Sequence, residues 1–122
     1  MRNQPKYHFF KNTIYALKGL KDIIKTENSF KIELFLFFIA LPILFFLETT
    51  LTNKILLFTT LGLVLLAEAM NSAIERAVDL VTLEHQKLAG MAKDAGSAAV
   101  FIAIIIAVST WILIILDSFN II

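Results

Sequence analysis

The feature that most constrains this chain is a stretch without a single charge, running from Gly96 to Leu116. Wound as a helix at about 1.5 Å per residue, a stretch of roughly 21 residues matches a hydrocarbon core about 30 Å thick. Inside a bilayer the backbone must satisfy its own polar groups, so such a segment is expected to cross as a helix. Ala99, Ala103 and Ala107 recur every four residues along it. That stripe of small side chains lets another helix approach closely. Trp111 and the stretch from Asp117 to Asn120 suit the far interface.

Two further stretches have the same character. The segment 30–47 is apolar apart from Lys31 and Glu33 in its first turn, and it contains Pro42, which membrane helices tolerate. The segment 54–80 is apolar to Ala67 and then keeps a helical period through polar residues. No Gly or Pro interrupts Leu63 to Leu88, so this helix is expected to outrun the bilayer and rise from it. A polar connection is expected from Thr82 to Ala92, with Gly90 as the break. Composition agrees: 58% of residues are hydrophobic and the mean hydropathy is +0.80, against roughly 45–50% apolar in a soluble domain.

Ahead of the spans, 6–25 is amphipathic. Phe10, Thr13, Ile14, Leu17, Leu20 and Ile24 recur at helical spacing, opposite Lys11, Lys18, Lys21, Asp22 and Lys25. A basic face backed by an aromatic and aliphatic one is the pattern of a helix lying in the membrane interface. Residues 1–5 read as a ragged start. The fold class is therefore an all-α membrane protein in one domain, 1–122. It has an interfacial helix at 6–25 and three transmembrane helices at 30–47, 54–80 and 96–116. The first 29 residues hold no continuous apolar core and no small-residue cleavage site, so no signal peptide is expected. Net charge is +1, which gives no hint of nucleic acid, and the lack of cysteine excludes disulfides and thiolate chemistry.

Orientation follows from the basic residues. The N-terminal flank carries Arg2, Lys6, Lys11, Lys18, Lys21, Lys25 and Lys31; the first turn has Lys54 alone; the second connection has Arg76, Lys87 and Lys93; the tail has none. The positive-inside bias puts the N-terminus in the cytoplasm.

With that topology, charged residues from three segments meet in one layer. Glu27 precedes the first span and Glu33 opens it. Glu68 has climbed about 21 Å of a roughly 30 Å core from Lys54 and so lies just under the same face. Glu75, Lys93 and Asp94 are on that side too. Glu68, Asn71, Ser72, Glu75 and Asp79 share one helical stripe. Ionisable groups at membrane depth cost a few kcal/mol or more, so this stripe faces protein or water. Polar glue within a bundle would account for Asn71 and Ser72, but two carboxylates are poor glue without cations. Carboxylates here can hold Mg²⁺ beside substrate phosphates, or act as a general base toward a hydroxyl. With Lys93 they are the parts of a phosphoryl-transfer site. No G-x-x-x-x-G-K-[ST] loop occurs, and the stretch from Gly90 to Ser97 does not match one. His8 and His85 are far apart in sequence, without metal-ligand spacing. A cation-coupled transporter using Glu68, and a non-catalytic helical partner docked by the Ala99 stripe, are the other classes.

Two motifs resemble a known family. Glu68-Ala69-Met70-Asn71-Ser72-Ala73-Ile74-Glu75 resembles the E-x-x-N-[ST]-A-I-E signature of the bacterial diacylglycerol kinases. The stretch Ala92-Lys93-Asp94-Ala95-Gly96-Ser97-Ala98-Ala99 resembles their A-K-D-x-G-S-A-A segment. Tyr15 to Leu20, and Glu27 followed by Glu33, fall at the matching places upstream. The resemblance implies a homotrimer in the bacterial inner membrane that moves the γ-phosphate of MgATP to diacylglycerol, giving phosphatidic acid. It implies Glu68 as the base, with Asn71 orienting groups near it, and Glu27 and Glu75 as metal ligands. Glu84, His85, Gln86, Lys93 and Asp94 would contact the nucleotide, with His8 and Tyr15 as further nucleotide-side positions. Glu33 and Ser97, with Glu68, would face the lipid substrate. The sequence departs from the enterobacterial pattern at His8, where an Arg is expected, and at His85-Gln86, where the order Tyr-His is expected. Gram-positive relatives of the same family phosphorylate undecaprenol, which is the alternative acceptor; the Gly96 to Ala99 segment looks more like the diacylglycerol branch.

Overall fold

The computed structural model describes residues 5–122. Arg2, one of the flanking charges, lies outside the described residues, as does most of the expected ragged start. Among the described residues there are four helices and no strand: α1 Phe9–Thr26, α2 Asn28–Phe46, α3 Leu51–Val81 and α4 Lys87–Ser118. The last three are long and apolar enough to cross a membrane, so the chain is a multi-pass membrane protein.

α1 buries none of its residues against the rest of the chain. Phe10, Ile14, Leu17 and Leu20 are all exposed, which fits a helix whose apolar side rests on lipid. It meets α2 at a single extended residue, Glu27, which ends one helix and starts the next without spending its side chain on either cap. Pro42 lies inside α2 without ending it. A tight turn follows. Thr50 caps α3 by accepting from the Asn53 amide at 3.2 Å, and Lys54 Nζ donates to the Phe45 carbonyl at 3.0 Å. Each serves a backbone group that a helix end leaves unpaired.

α3 and α4 contain 31 and 32 residues, about 46–48 Å each, well beyond a bilayer core of about 30 Å. The expected break at Gly90 does not occur. α4 begins at Lys87, and the Gly90 amide donates to the Gln86 carbonyl at 2.9 Å in its first turn. A glycine costs a helix only about 1 kcal/mol, too little to stop one whose neighbours are good helix formers. The connection is thus Thr82–Gln86, and the third helix starts nine residues before the expected 96.

Packing within one chain is sparse. Leu44, Leu57 and Ile114 are buried together, with Leu47 and Trp111 against them, at the end where α2 stops and α3 starts. Trp111 Nε1 donates to the Leu57 carbonyl at 3.3 Å there. Most large apolar side chains of the spans face outward, among them Phe35, Phe38, Phe58, Phe101 and Ile105. At the opposite end α3 and α4 close on each other at Gly96, where an added Cβ would run into Asn71 Oδ1.

Candidate functional site

The helical period of α3 sets the site. Glu68, Asn71 and Ser72 are buried, Glu75 is half-buried and Asp79 is exposed. Burial fades along the stripe as the helix outruns its neighbours. The α1–α2 joint covers one flank of the stripe, and the first half of α4 covers the other.

Hydrogen bonds tie the layer across helices. Ser29 Oγ, in the first turn of α2, donates to Glu68 Oε1. Ser72 Oγ, on α3, donates to Glu27 Oε1 at 2.8 Å. Each side of the contact therefore lends a serine to the other's carboxylate. Arg76 donates to Asp22, to Thr26 Oγ1 at 2.7 Å and to Glu27 Oε1 at 3.1 Å, fastening the end of α1 to α3. Asn71 Nδ2 donates to Glu75 Oε1 at 3.3 Å. Asn71 Nδ2 thus meets Glu75, one turn further along α3, while Asn71 Oδ1 is buried without a partner. Glu33 Oε2 is the other buried oxygen in that condition. It lies on α2 close enough to Glu68 for their charges to repel. Buried polar atoms without partners are expensive and uncommon in folded proteins. Two within one layer mark it as built for something other than stability.

Several cavities lie near the layer, one of them an apolar groove of about 330 Å³ lined by Asn71, Gly96 and Ala99 among others, and two more carry charged residues. One of about 240 Å³ sits at the α3–α4 turn and is lined by Asp79, Glu84, His85, Gln86, Lys93 and Asp94 among others. Lys93 Nζ is paired there with Asp79 at 2.6 Å. The other, about 340 Å³ and mostly apolar, is lined by Leu36, Phe37, Leu65, Ile104 and Ala107 with Glu33 as its charged residue. A polar pocket between α3 and α4 and an apolar groove that includes Glu33 are thus built from the same helices as the carboxylate layer. This arrangement can present a polar and a lipidic molecule to the same groups.

Of the residues singled out in the sequence, Glu27, Glu68, Asn71 and Glu75 come together in the layer, with Glu33 beside it. Glu84, His85, Gln86, Lys93 and Asp94 line the polar pocket. His8 and Tyr15 join neither: His8 precedes α1 without a side-chain cap bond, and Tyr15 stands exposed on α1. Ser97 is exposed on α4 next to the tight contact at Gly96. Sequence reasoning missed Ser29 altogether and counted Arg76 only as a topological charge. The available signal was the polar run Thr26-Glu27-Asn28-Ser29 directly before an apolar span, where uncommitted side chains sit beside a carboxylate.

Among the described residues no three His, Asp or Glu side chains are gathered closely enough to form a metal site by themselves. The donor chemistry still suits one cation. Glu27, bonded by Ser72, and Glu75, bonded by Asn71, each offer hard oxygens, and Mg²⁺ characteristically takes one or two carboxylates and completes its shell with water and substrate phosphates.

The chain also resembles known proteins in sequence. Residues 14–115 match the model of the family described as prokaryotic diacylglycerol kinase. A diacylglycerol kinase of Haemophilus influenzae is 43% identical over 85% of this chain and 88% of its own. One from Escherichia coli is 40% identical over 87% of each. An undecaprenol kinase of Bacillus subtilis is 32% identical over 90% of this chain and 89% of its own.

Proposed function

The chain belongs to the prokaryotic diacylglycerol kinase family, and from that premise we propose that it transfers the γ-phosphate of ATP to the hydroxyl of diacylglycerol, giving phosphatidic acid and ADP. The observation that carries the assignment of roles is the layer itself. A buried carboxylate, Glu68, shares its helix with Asp79 of the polar pocket and with Leu61, Val64 and Leu65 of the apolar groove that Glu33 also lines. The hydroxyl of a diacylglycerol lies where its acyl chains meet the headgroup region, and Glu68 is expected just below that boundary.

In this reading Glu68 accepts the proton of the lipid hydroxyl as that oxygen attacks the γ-phosphorus and the bond to the β-phosphate oxygen breaks. Glu33 and Ser97 face the lipid. Lys93, leaving Asp79, pairs with phosphate, while Asp94, Glu84, His85 and Gln86 line the nucleotide's pocket. Glu27 and Glu75 would hold Mg²⁺, which supplies positive charge against the phosphates when bound. Asn71 keeps Glu75 turned toward that place. His8 and Tyr15 reach the nucleotide only if α1 shifts or a second chain supplies them, and the latter fits a homotrimer. The outward-facing apolar surface of a single chain also supports assembly from several copies. The basic flanks support a cytoplasmic N-terminus in the inner membrane, with the site on the side where ATP is found.

The test is phosphorylation of defined lipids by purified protein in mixed micelles with ATP and Mg²⁺. Diacylglycerol is expected to be the preferred acceptor. A strong preference for undecaprenol would move the assignment to the activity named for the Bacillus relative, and phosphorylation of neither would refute the kinase. Shared sites are tested by co-refolding Glu68→Gln with Glu75→Gln protein: recovered activity supports sites built from more than one chain.

A further inference from the structure

Ser29 has no role in the function just described, yet its hydroxyl makes the one hydrogen bond that Glu68 receives among the described residues. The two oxygens of Glu68 are unlike. Oε1 is engaged by Ser29 across the α2–α3 contact. Oε2 has no such bond, but it is not among the buried unpartnered atoms of the layer, so it keeps some access. A carboxylate on three rotatable bonds that is pinned through one oxygen presents the other in a narrow range of directions. General-base catalysis depends on that direction, because proton transfer requires a donor and acceptor within hydrogen-bond reach in the reacting geometry.

We infer that Ser29 is a positioning residue for the phosphoryl-transfer step: by holding Glu68 Oε1 it aims Oε2 at the acceptor hydroxyl. The inference rests on the proposed role of Glu68. Local structure makes Ser29 suited to the task. It lies in the first turn of α2, two residues after the joint at Glu27. That joint is itself fastened to α3 by Ser72 and Arg76. The hydroxyl is therefore held on both sides, by the helix that follows it and by the clamped residue that precedes it. Glu33, the acid nearest on the same helix, makes no hydrogen bond to Glu68; its Oε2 is buried without a partner. Arg76 on α3 and Lys93 on α4 are already bonded to Asp22, Thr26, Glu27 and Asp79.

The experiment is a double-mutant cycle read in both turnover and melting. Ser29→Ala is expected to lower kcat about tenfold while the KM values for ATP and diacylglycerol stay within about twofold. Ser29→Thr, which keeps the hydroxyl, is expected to return kcat to within about threefold. In a Glu68→Gln parent, Ser29→Ala is expected to add no further loss, because there is no base left to aim. Independently of activity, Ser29→Ala is expected to lower Tm by about 3 °C in the natural chain and by much less in a Glu68→Ala parent. An unchanged kcat in Ser29→Ala, a threonine as poor as alanine, or an equal loss in the Glu68→Gln parent would each overturn the positioning role. Equal melting shifts in both parents would overturn the contact. If instead the natural chain phosphorylates no lipid, or Glu68→Gln keeps full turnover, the base assignment itself fails and Ser29's role with it, whatever the melting cycle reports.

Discussion

The two ends of the helical bundle are held in opposite ways. At the end where α2 turns into α3, Leu44, Leu57 and Ile114 pack with Leu47 and Trp111, and Leu57 is fully buried. At the other end the contacts are polar: Ser29 with Glu68, Ser72 with Glu27, Arg76 with Asp22 and Glu27. The packed end leaves no buried polar side-chain atom unpaired, whereas the polar end leaves two, on Glu33 and Asn71. Packing gives stability at no electrostatic cost. Gathered carboxylates repel one another and lose solvation, and they persist only because the rest of the bundle holds them. The difference indicates which end is a scaffold and which performs chemistry.

Substitutions at the two ends should therefore separate activity from stability. The largest effect is expected from Glu68→Gln. The amide keeps the shape but not the basicity, so turnover per folded protein should fall about 10²–10⁴-fold. Thermal stability should hold or rise, since an amide is cheaper to bury than a charge. Near-normal turnover would break the comparison and leave Asp94 as the next candidate base. Leu57→Ala should do the reverse. Truncating a fully buried leucine removes about 2–5 kcal/mol of stability, seen in the unfolding midpoint, while turnover of the folded fraction stays close to normal. Glu75→Gln should raise the Mg²⁺ concentration for half-maximal activity about tenfold without a matching change in lipid KM, because a hard oxygen ligand is lost. If neither the metal dependence nor the rate at saturating Mg²⁺ moves, Glu75 is not a ligand. The smallest effect is expected from Gly96→Ala. Its methyl would displace Asn71 Oδ1, costing about 1 kcal/mol, the low end of overpacking because a side-chain tip can yield. A raised Mg²⁺ requirement at unchanged lipid KM would show that Asn71 matters to Glu75; an unaltered metal dependence would show that it does not.

Much of this architecture is determined by the order of residues alone. Three apolar stretches must cross as helices, since a bilayer offers backbone groups no other partner. The period of Glu68, Asn71, Ser72 and Glu75 places them on one face wherever that helix goes. The motifs around Glu68 and Lys93 were enough to suggest the family, because chemistry restricts which side chains can stand at those spacings. The tertiary structure alone decided who meets whom. That Asn71 meets Glu75, with its Oδ1 close against Gly96 of a different helix, is visible only in the fold. Ser29 and Arg76 gained their partners only when α2 and the end of α1 settled on α3. Gly90 looked like a break because a local preference of about 1 kcal/mol was weighed alone. Cross-helix hydrogen bonds join residues 39 and 45 positions apart, and no local pattern encodes such a pairing. It is decided by the packing of whole helices, where the many weak contacts of the apolar end set the register in which a few costly polar ones must fit.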